Sequence, residues 1–338
     1  MSEVVRIGLD TAKLVFELHG VDVHGSVVLR RTVRRKDLLS TFAQLPRCLV
    51  GLESCAGSHH WARALQMLGH DARLMASQFV SAYRKEQKND ANDAAALCEA
   101  VGRPSMRFVP VKSVEQQAVL TLHRARELAV QQRTALINQI RGLLGEFGLS
   151  VGKGTAALRS ALPALLEDAE NGLPSLARAV IAELRQQWQV GDSRIADYDR
   201  RIASLASESE PAKRLMHIPG IGPVTATAIV ASVGGAEVFR SARQFAAWLG
   251  LTPRQHSSGG KSRLGSISKR GDVYLRTLLI HGTRSVLSRC DARADRLGKW
   301  MREVRQRRGR NIAAVALAAK HARIVWAVLR RDCAYVPA

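Results

Sequence analysis

From Ser113 to Phe147 the chain has neither proline nor a strand-like alternation, while Val119, Leu122, Leu128, Leu136, Ile140, Leu143 and Leu144 recur at roughly helical spacing. One long helix is the element that pairs such a backbone with itself and gathers its apolar side chains into a stripe. A second helical tract covers roughly 174–209, after the Gly- and Pro-containing stretch 151–173. Two long helices joined by a loop predict an antiparallel hairpin, an arm of the kind that dimerises or bridges domains. It divides the chain into a first domain at 1–112, a coiled-coil helical arm at 113–210 and a third domain at 211–338.

Ahead of the arm, residues 4–9 and 13–19 are short β-branched and apolar runs, and Val27-Val-Leu29 continues toward Val33. With turn chemistry at Val21–Gly25, these predict a meander of three antiparallel strands. A helix near 36–45, a strand at 48–52, a helix near 58–68, a strand at 72–76 and helices near 77–86 and 91–101 follow. Strands first and alternation afterwards indicate a mixed sheet flanked by helices, so the fold class is α/β plus all-α.

Lys and Arg number 51 against 29 acids, a net charge of +22, which attracts polyanions and makes nucleic acid the leading partner. No apolar run near the length of a membrane span stands out, and no charged-then-apolar leader follows Met1. Five cysteines, an odd number with no Cys-x-x-Cys pair, point to reduced thiols in a cytoplasm rather than a zinc ribbon. His59, His60 and His70 lack a partner at zinc-site spacing and read as surface or half-buried residues.

Four acids stand out. Asp10 ends the first strand, in Ile7-Gly-Leu-Asp-Thr-Ala-Lys13, and Glu53 ends the fourth, in Val50-Gly-Leu-Glu-Ser54. Asp90 and Asp93, in Lys88-Asn-Asp-Ala-Asn-Asp-Ala94, lie three apart at a helix start and share a face. Neighbouring strand ends bring carboxylates together, the layout of a ribonuclease-H-like sheet. Four converging carboxylates repel unless a cation neutralises them, and Mg2+ suits such hard oxygen ligands. Each acid alone could be a helix cap or a solvated group, the better reading of Asp90 or Asp93 in isolation. At the ends of apolar strands, however, Asp10 and Glu53 are costly without a partner.

His217-Ile-Pro-Gly-Ile-Gly-Pro-Val-Thr-Ala226 joins two apolar helical segments through Gly220 and Gly222. It reads equally as a phosphate-contacting helix-hairpin-helix element or as a tight structural turn. It lacks the third glycine and preceding strand of a dinucleotide loop, and Gly152-Lys-Gly154 lacks the spacing of a triphosphate loop. Farther on, Ser257-Ser-Gly-Gly260 lies among Arg254, Lys261, Arg263, Lys269, Arg270 and Arg276. Residues 254–288 hold seven basic side chains against the lone acid Asp272. Cations lower the pKa of an alcohol and hold phosphate in line for attack, although most Ser-Ser-Gly runs are flexible loops. Residues 289–310 carry nine Lys or Arg against three acids, a solvated helix face or a phosphate contact.

Taken in order, Gly-Leu-Asp-Thr-Ala-Lys, the Glu53 strand, Asn-Asp-Ala-Asn-Asp-Ala, Ile-Pro-Gly-Ile-Gly-Pro and Phe245-Ala-Ala-Trp-Leu-Gly-Leu-Thr-Pro-Arg with its following Ser-Gly-Gly-Lys and Ser-Lys-Arg-Gly resemble the one-ten insertion-sequence transposases over nearly the whole chain. The resemblance implies a RuvC-like Asp-Glu-Asp-Asp domain, a coiled-coil arm and a mainly helical transposase domain with a catalytic serine. By position it assigns Asp10, Glu53, Asp90 and Asp93 to the Mg2+ site and Ser258 to the nucleophile, Ser257 being adjacent. It also implies donor and target DNA, a non-coding bridge RNA, a bacterial nucleoid-associated location and a homo-oligomer. That assembly is a dimer or tetramer, with the serine of one subunit acting beside the carboxylates of another. The resulting expectation is a site-specific recombinase working through a 5′-phosphoserine. The alternatives are a hydrolytic RuvC-like junction nuclease and a non-catalytic nucleic-acid-binding protein.

Overall fold

The computed structural model describes residues 3–85 and 87–336, in two compact units, 1–115 and 116–338. In the first, strands β1 (Arg6–Thr11), β2 (Val15–Val21), β3 (Val27–Arg34), β4 (Leu49–Glu53), β5 (Asp71–Met75) and β6 (Phe108–Val109) form one sheet in the order β3-β2-β1-β4-β5-β6. β1, β2 and β3 form an antiparallel meander, β4 and β5 run parallel to β1, and β6 returns antiparallel at the edge. Alternation assigns the faces. Ile7, Leu9, Phe16, Leu18, Val50 and Leu52 bury against α1 (Leu38–Ala43) and α2 (Ser58–Met67). The opposite face receives α4 (Asp90–Val101), whose Ala96, Leu97, Ala100 and Val101 pack with Met75 and Val80.

Between β5 and α4 the expected helix at 77–86 is reduced to one turn, α3 (Ser77–Val80), and a 3-10 turn over Ser81–Tyr83. Arg84 and Lys85 follow outside any helix, and Glu86 lies outside the described residues. His70 is a second difference, being buried rather than surface or half-buried. Its ring takes the Cys48 amide on Nδ1 at 3.3 Å and meets the Phe42 carbonyl through Nε2 at 3.1 Å.

The second unit joins what the sequence divides into the arm and the C-terminal part. Helices α5 (Val114–Glu146) and α7 (Ser175–Glu208) flank α6 (Thr155–Glu167). The stretch 151–173 therefore contains a helix with Pro163 inside it. Its Leu158 and Leu162 are fully buried with Ile140, Leu144, Ile181 and Trp188, and this burial outweighs the helix-breaking tendency of proline. Then come α8 (Glu210–Met216), α9 (Pro223–Val233), α10 (Ala242–Trp248), the two-stranded β7 (Pro253–Gln255) and β8 (Leu264–Ile267), α11 (Val273–Ser288), α12 (Arg296–Arg308) and α13 (Arg310–Arg331).

At its N-terminal end α5 is tied into this body by a buried polar triad. The Thr227 hydroxyl donates to the Pro223 carbonyl at 2.7 Å, so it accepts from His123 Nε2 at 3.0 Å, and His123 Nδ1 is left to accept from the Tyr274 hydroxyl at 3.0 Å. Among the described residues α13 is long and apolar enough to cross a membrane by length and composition, a correction to the expectation that no run of that length stands out. Its Leu317, Ala318, Ala322, Val325 and Val328 are core residues of this unit.

Candidate active site

In the first unit, Asp10 and Glu53 leave the ends of two parallel neighbours, β1 and β4, on the face that α4 covers. Asn89 caps α4, its side-chain oxygen accepting from the Asn92 amide at 2.7 Å, so neither Asp90 nor Asp93 serves as the cap. Both acids lie in the first turn, where the helix dipole favours negative charge. Asp10 registers the gathering. Its carboxyl is pushed up to about 6, by burial first, then by the charges of Asp90, Asp93 and Glu53 in that order.

Two neighbours hold these acids in place, and neither announced itself in the sequence. The Ser77 hydroxyl donates to Glu53 Oε1 at 2.5 Å, and Arg84 donates from Nη1 to Asp93 Oδ1 at 2.8 Å, a half-buried ion pair. Both stand in the irregular segment after β5. A further acid, Glu17, is the direct partner of Asp10 on β2 but turns to Thr32, whose hydroxyl donates to Glu17 Oε1 at 2.6 Å. Four hard carboxylate donors, two from strands and two from the first turn of the helix over them, have the chemistry of a divalent-cation site. Among the described residues no three His, Cys, Asp or Glu stand close enough together to hold a metal, so the acids are gathered but not closed into a cage.

In the second unit, the candidate serine sits at the tip of a hairpin built by glycines. Gly250 ends α10 at φ +70° and Gly271 precedes α11 at φ +92°. A methyl group on Gly250 would lie 2.1 Å from the Arg270 carbonyl, and one on Gly271 would lie 1.8 Å from that of Trp248, so both glycines permit close passage of backbone. At the tip, Ser258 pairs with Lys261, whose amide donates to the Ser258 carbonyl at 3.0 Å. The residues between them, Gly259 and Gly260, both have positive φ, as a type I′ turn demands. The Ser257 hydroxyl receives the Gln255 side-chain amide at 3.0 Å and the Arg263 backbone amide at 3.2 Å. Ser258 is exposed, and its hydroxyl has no hydrogen-bond partner among the described residues.

Arg254, Lys261, Arg263, Lys269 and Arg270 are exposed around this hairpin. Arg276 is not, and its place on a basic surface must be corrected. It is buried on α11 and donates to the Leu249 carbonyl at 3.1 Å, a guanidinium used to satisfy the end of α10. The lone acid of the segment, Asp272, caps α11 by accepting from the Leu275 amide. Gly220 and Gly222 are exposed in the turn before α9, and the backbone of Gly220 passes against Gly282 of α11. A structural turn is thus present there, and its phosphate-contacting role is a matter of proposal. A groove between α5 and α7, lined by Ala129, Arg133, Gln187, Val190 and Arg194, contains none of the candidate residues.

Comparison with known proteins supplies the class. Residues 7–148 match a DEDD-type family described as transposase, and residues 212–299 match the transposase IS116/IS110/IS902 family. A probable family 20 transposase of Pseudomonas aeruginosa is 52% identical over 98% of both chains. The transposase for insertion sequence element IS1111A of Coxiella burnetii is 43% identical over 99% of this chain and 92% of its own. That for element IS1328 of Yersinia enterocolitica is 40% identical over 97% of both. The chain is a transposase by class, an enzyme that cleaves and rejoins DNA. More particularly, it belongs to the IS116/IS110/IS902 family of insertion-sequence transposases. A DEDD-type domain makes a divalent metal the expected cofactor.

Proposed function

We propose that this transposase is a site-specific recombinase in which Ser258 is the nucleophile and Asp10, Glu53, Asp90 and Asp93 hold Mg2+. A β3-β2-β1-β4-β5 order, antiparallel through the meander and parallel beyond it, supports the ribonuclease-H-like reading of the first domain. The observation that carries the serine reading is the hairpin tip. Of two adjacent hydroxyls, Ser257 is committed to holding the hairpin and Ser258 is presented among cations on a glycine turn. The cations on this hairpin orient phosphate and favour the alkoxide.

Attack forms the Ser258 Oγ–P bond and breaks the P–O3′ bond. The hydroxyl proton goes to the departing 3′ oxygen, leaving a 5′-phosphoserine and a free 3′-OH. Reversal by a 3′-OH from the other duplex restores the phosphodiester with no external energy source. Bound Mg2+ would supply positive charge to the scissile phosphate oxygens. The chain's own acids would orient that charge, with Ser77 holding Glu53 and Arg84 holding Asp93. Gly220, Gly222 and the exposed cations Arg254, Lys261, Arg263, Lys269 and Arg270 serve DNA or RNA backbone contacts in this reading. Guidance by a bridge RNA and assembly as a dimer or tetramer follow from the family resemblance, with the +22 charge in support of RNA.

Ser258→Ala should lower strand cleavage by at least about a thousandfold and abolish the covalent protein–DNA adduct, whereas Ser257→Ala should stay within about tenfold of the parent. Cleavage that survives Ser258→Ala without an adduct would support the hydrolytic junction nuclease instead. Purification of the chain followed by sequencing of bound RNA tests the guide, because a guided enzyme carries one discrete species.

A further inference from the structure

We infer that Gly8 and Gly51 are positioning residues, a paired seat in the sheet that lets α4 lie close enough to bring Asp90 and Asp93 to Asp10 and Glu53. The inference rests on reading those four acids as the metal-holding set. In the parallel register of β1 and β4 the two glycines are direct partners. Each precedes its acid by two residues, in Gly8-Leu-Asp10 and Gly51-Leu-Glu53, so glycine and acid share a face. That face is the one α4 covers.

The helix comes to backbone distance. A methyl group on Gly8 would stand 2.0 Å from the Ala94 carbonyl oxygen and 2.3 Å from the Cys98 amide nitrogen. One on Gly51 would stand 2.7 Å from Val101 Cβ and 2.9 Å from the Leu97 carbonyl oxygen. Backbone cannot swing aside as a flexible side chain can, so even alanine must lift the helix or bend the strand. Neither glycine has a positive φ, so close approach rather than backbone conformation is what each glycine supplies here. A lifted helix moves its first turn, where Asp90 and Asp93 stand, away from strand ends that do not move with it. Opposite-face Leu9 and Leu52 remain packed on α1 and α2, so the sheet itself is retained.

Gly20 provides a matched control. It lies on β2 on the other face, and a methyl group there would meet side chains, Val4 Cγ2 at 2.8 Å and Leu29 Cβ at 3.0 Å. The experiment compares full-length Gly8→Ala, Gly51→Ala, Gly20→Ala and Asp10→Asn by far-UV circular dichroism, by Mn2+ binding followed with electron paramagnetic resonance, and by transposition of a marked element in cells. Gly8→Ala and Gly51→Ala should fold, weaken Mn2+ binding at least about tenfold and abolish transposition, Gly8→Ala being the more severe. Gly20→Ala should keep Mn2+ binding within about threefold of the parent. Equal Mn2+ affinity in Gly8→Ala, Gly51→Ala and Gly20→Ala overturns the positioning role. So does failure of both seat variants to fold where Gly20→Ala folds, since the seat is then a stability element alone. Asp10→Asn separates the two ideas: if it leaves Mn2+ binding and transposition unchanged, the metal reading of the acids fails, whatever the glycines do.

Discussion

Asp10 illustrates what a strand-end acid costs before a cation reaches it. Its carboxyl is raised from an ordinary 3.8 to about 6, by burial and by three neighbouring carboxylates. Folding raises this pKa, so ionised Asp10 opposes folding fully above about pH 6, and the penalty vanishes as pH falls below 3.8. Asp10→Asn should therefore raise the unfolding temperature of the metal-free chain by about 2–4 °C at neutral pH. The gain should shrink to nothing near pH 4, and a constant gain across that range in calorimetry would refute the electrostatic account. Asp10 and Glu53 stood out by residue type and position, because a carboxylate at the end of an apolar strand demands a partner, whereas Asp90 and Asp93 in isolation read as helix caps. Ser77 and Arg84 were not readable, for they sit in irregular chain and matter only through what the fold places beside them. The difference between Ser257 and Ser258 was likewise tertiary, since only the folded hairpin shows that the Ser257 hydroxyl is taken up by Gln255 and Arg263.

At the scale of elements, the joint between α5 and the helices behind it is the clearest case of a buried polar group with a structural task. Burial first, and Arg126 second, lower the pKa of His123 to about 4, and burial does the same to His321 on α13. A histidine whose folded pKa is depressed gives stability that is present above its unfolded pKa of 6.5 and is lost as pH falls toward 4. The second unit should lose thermal stability across that window. His123→Ala should cost about 2 kcal/mol at pH 7.5 by removing the acceptor that His123 offers the Tyr274 hydroxyl and the donor it offers Thr227, and should flatten the pH dependence. Urea titrations at several pH values measure both, and an unchanged midpoint would show that the triad contributes nothing. The long helices α5 and α7 were legible because their period persists for many turns. The helix α6 was not, since Gly154 and Pro163 carry turn signals that only packing onto the flanking helices overrides. Nor was the β7–β8 hairpin, whose few residues are short for a periodic signal.

For the whole molecule, charge is the dominant property. A net +22 spread over a chain that handles DNA makes nucleic-acid affinity an ionic quantity. With about six phosphates engaged, log K against log salt should fall with a slope near about −5. Fluorescence anisotropy across KCl concentrations gives that slope, and a value shallower than about −2 would mean that the cations are largely committed to the protein's own acids. Some plainly are. Arg276 binds a carbonyl, Arg84 holds Asp93, and Arg126 and Arg133 pair with Asp199 and Asp192 between the long helices. Composition counts all of these equally, and burial is needed to subtract them.

The residue pattern alone determined the mixed sheet and the two long helices, because each follows from periodicity carried by neighbours in the chain, and it singled out Asp10 and Glu53 as acids at the ends of apolar strands. Only the tertiary structure decided that Asn89 rather than an aspartate caps α4, that Arg276 turns inward, that Ser257 is committed to its hairpin, and that two glycines facing one helix face each other across β1 and β4. Those outcomes depend on atoms far apart in sequence that meet within a few ångströms, and no local pattern records such a distance.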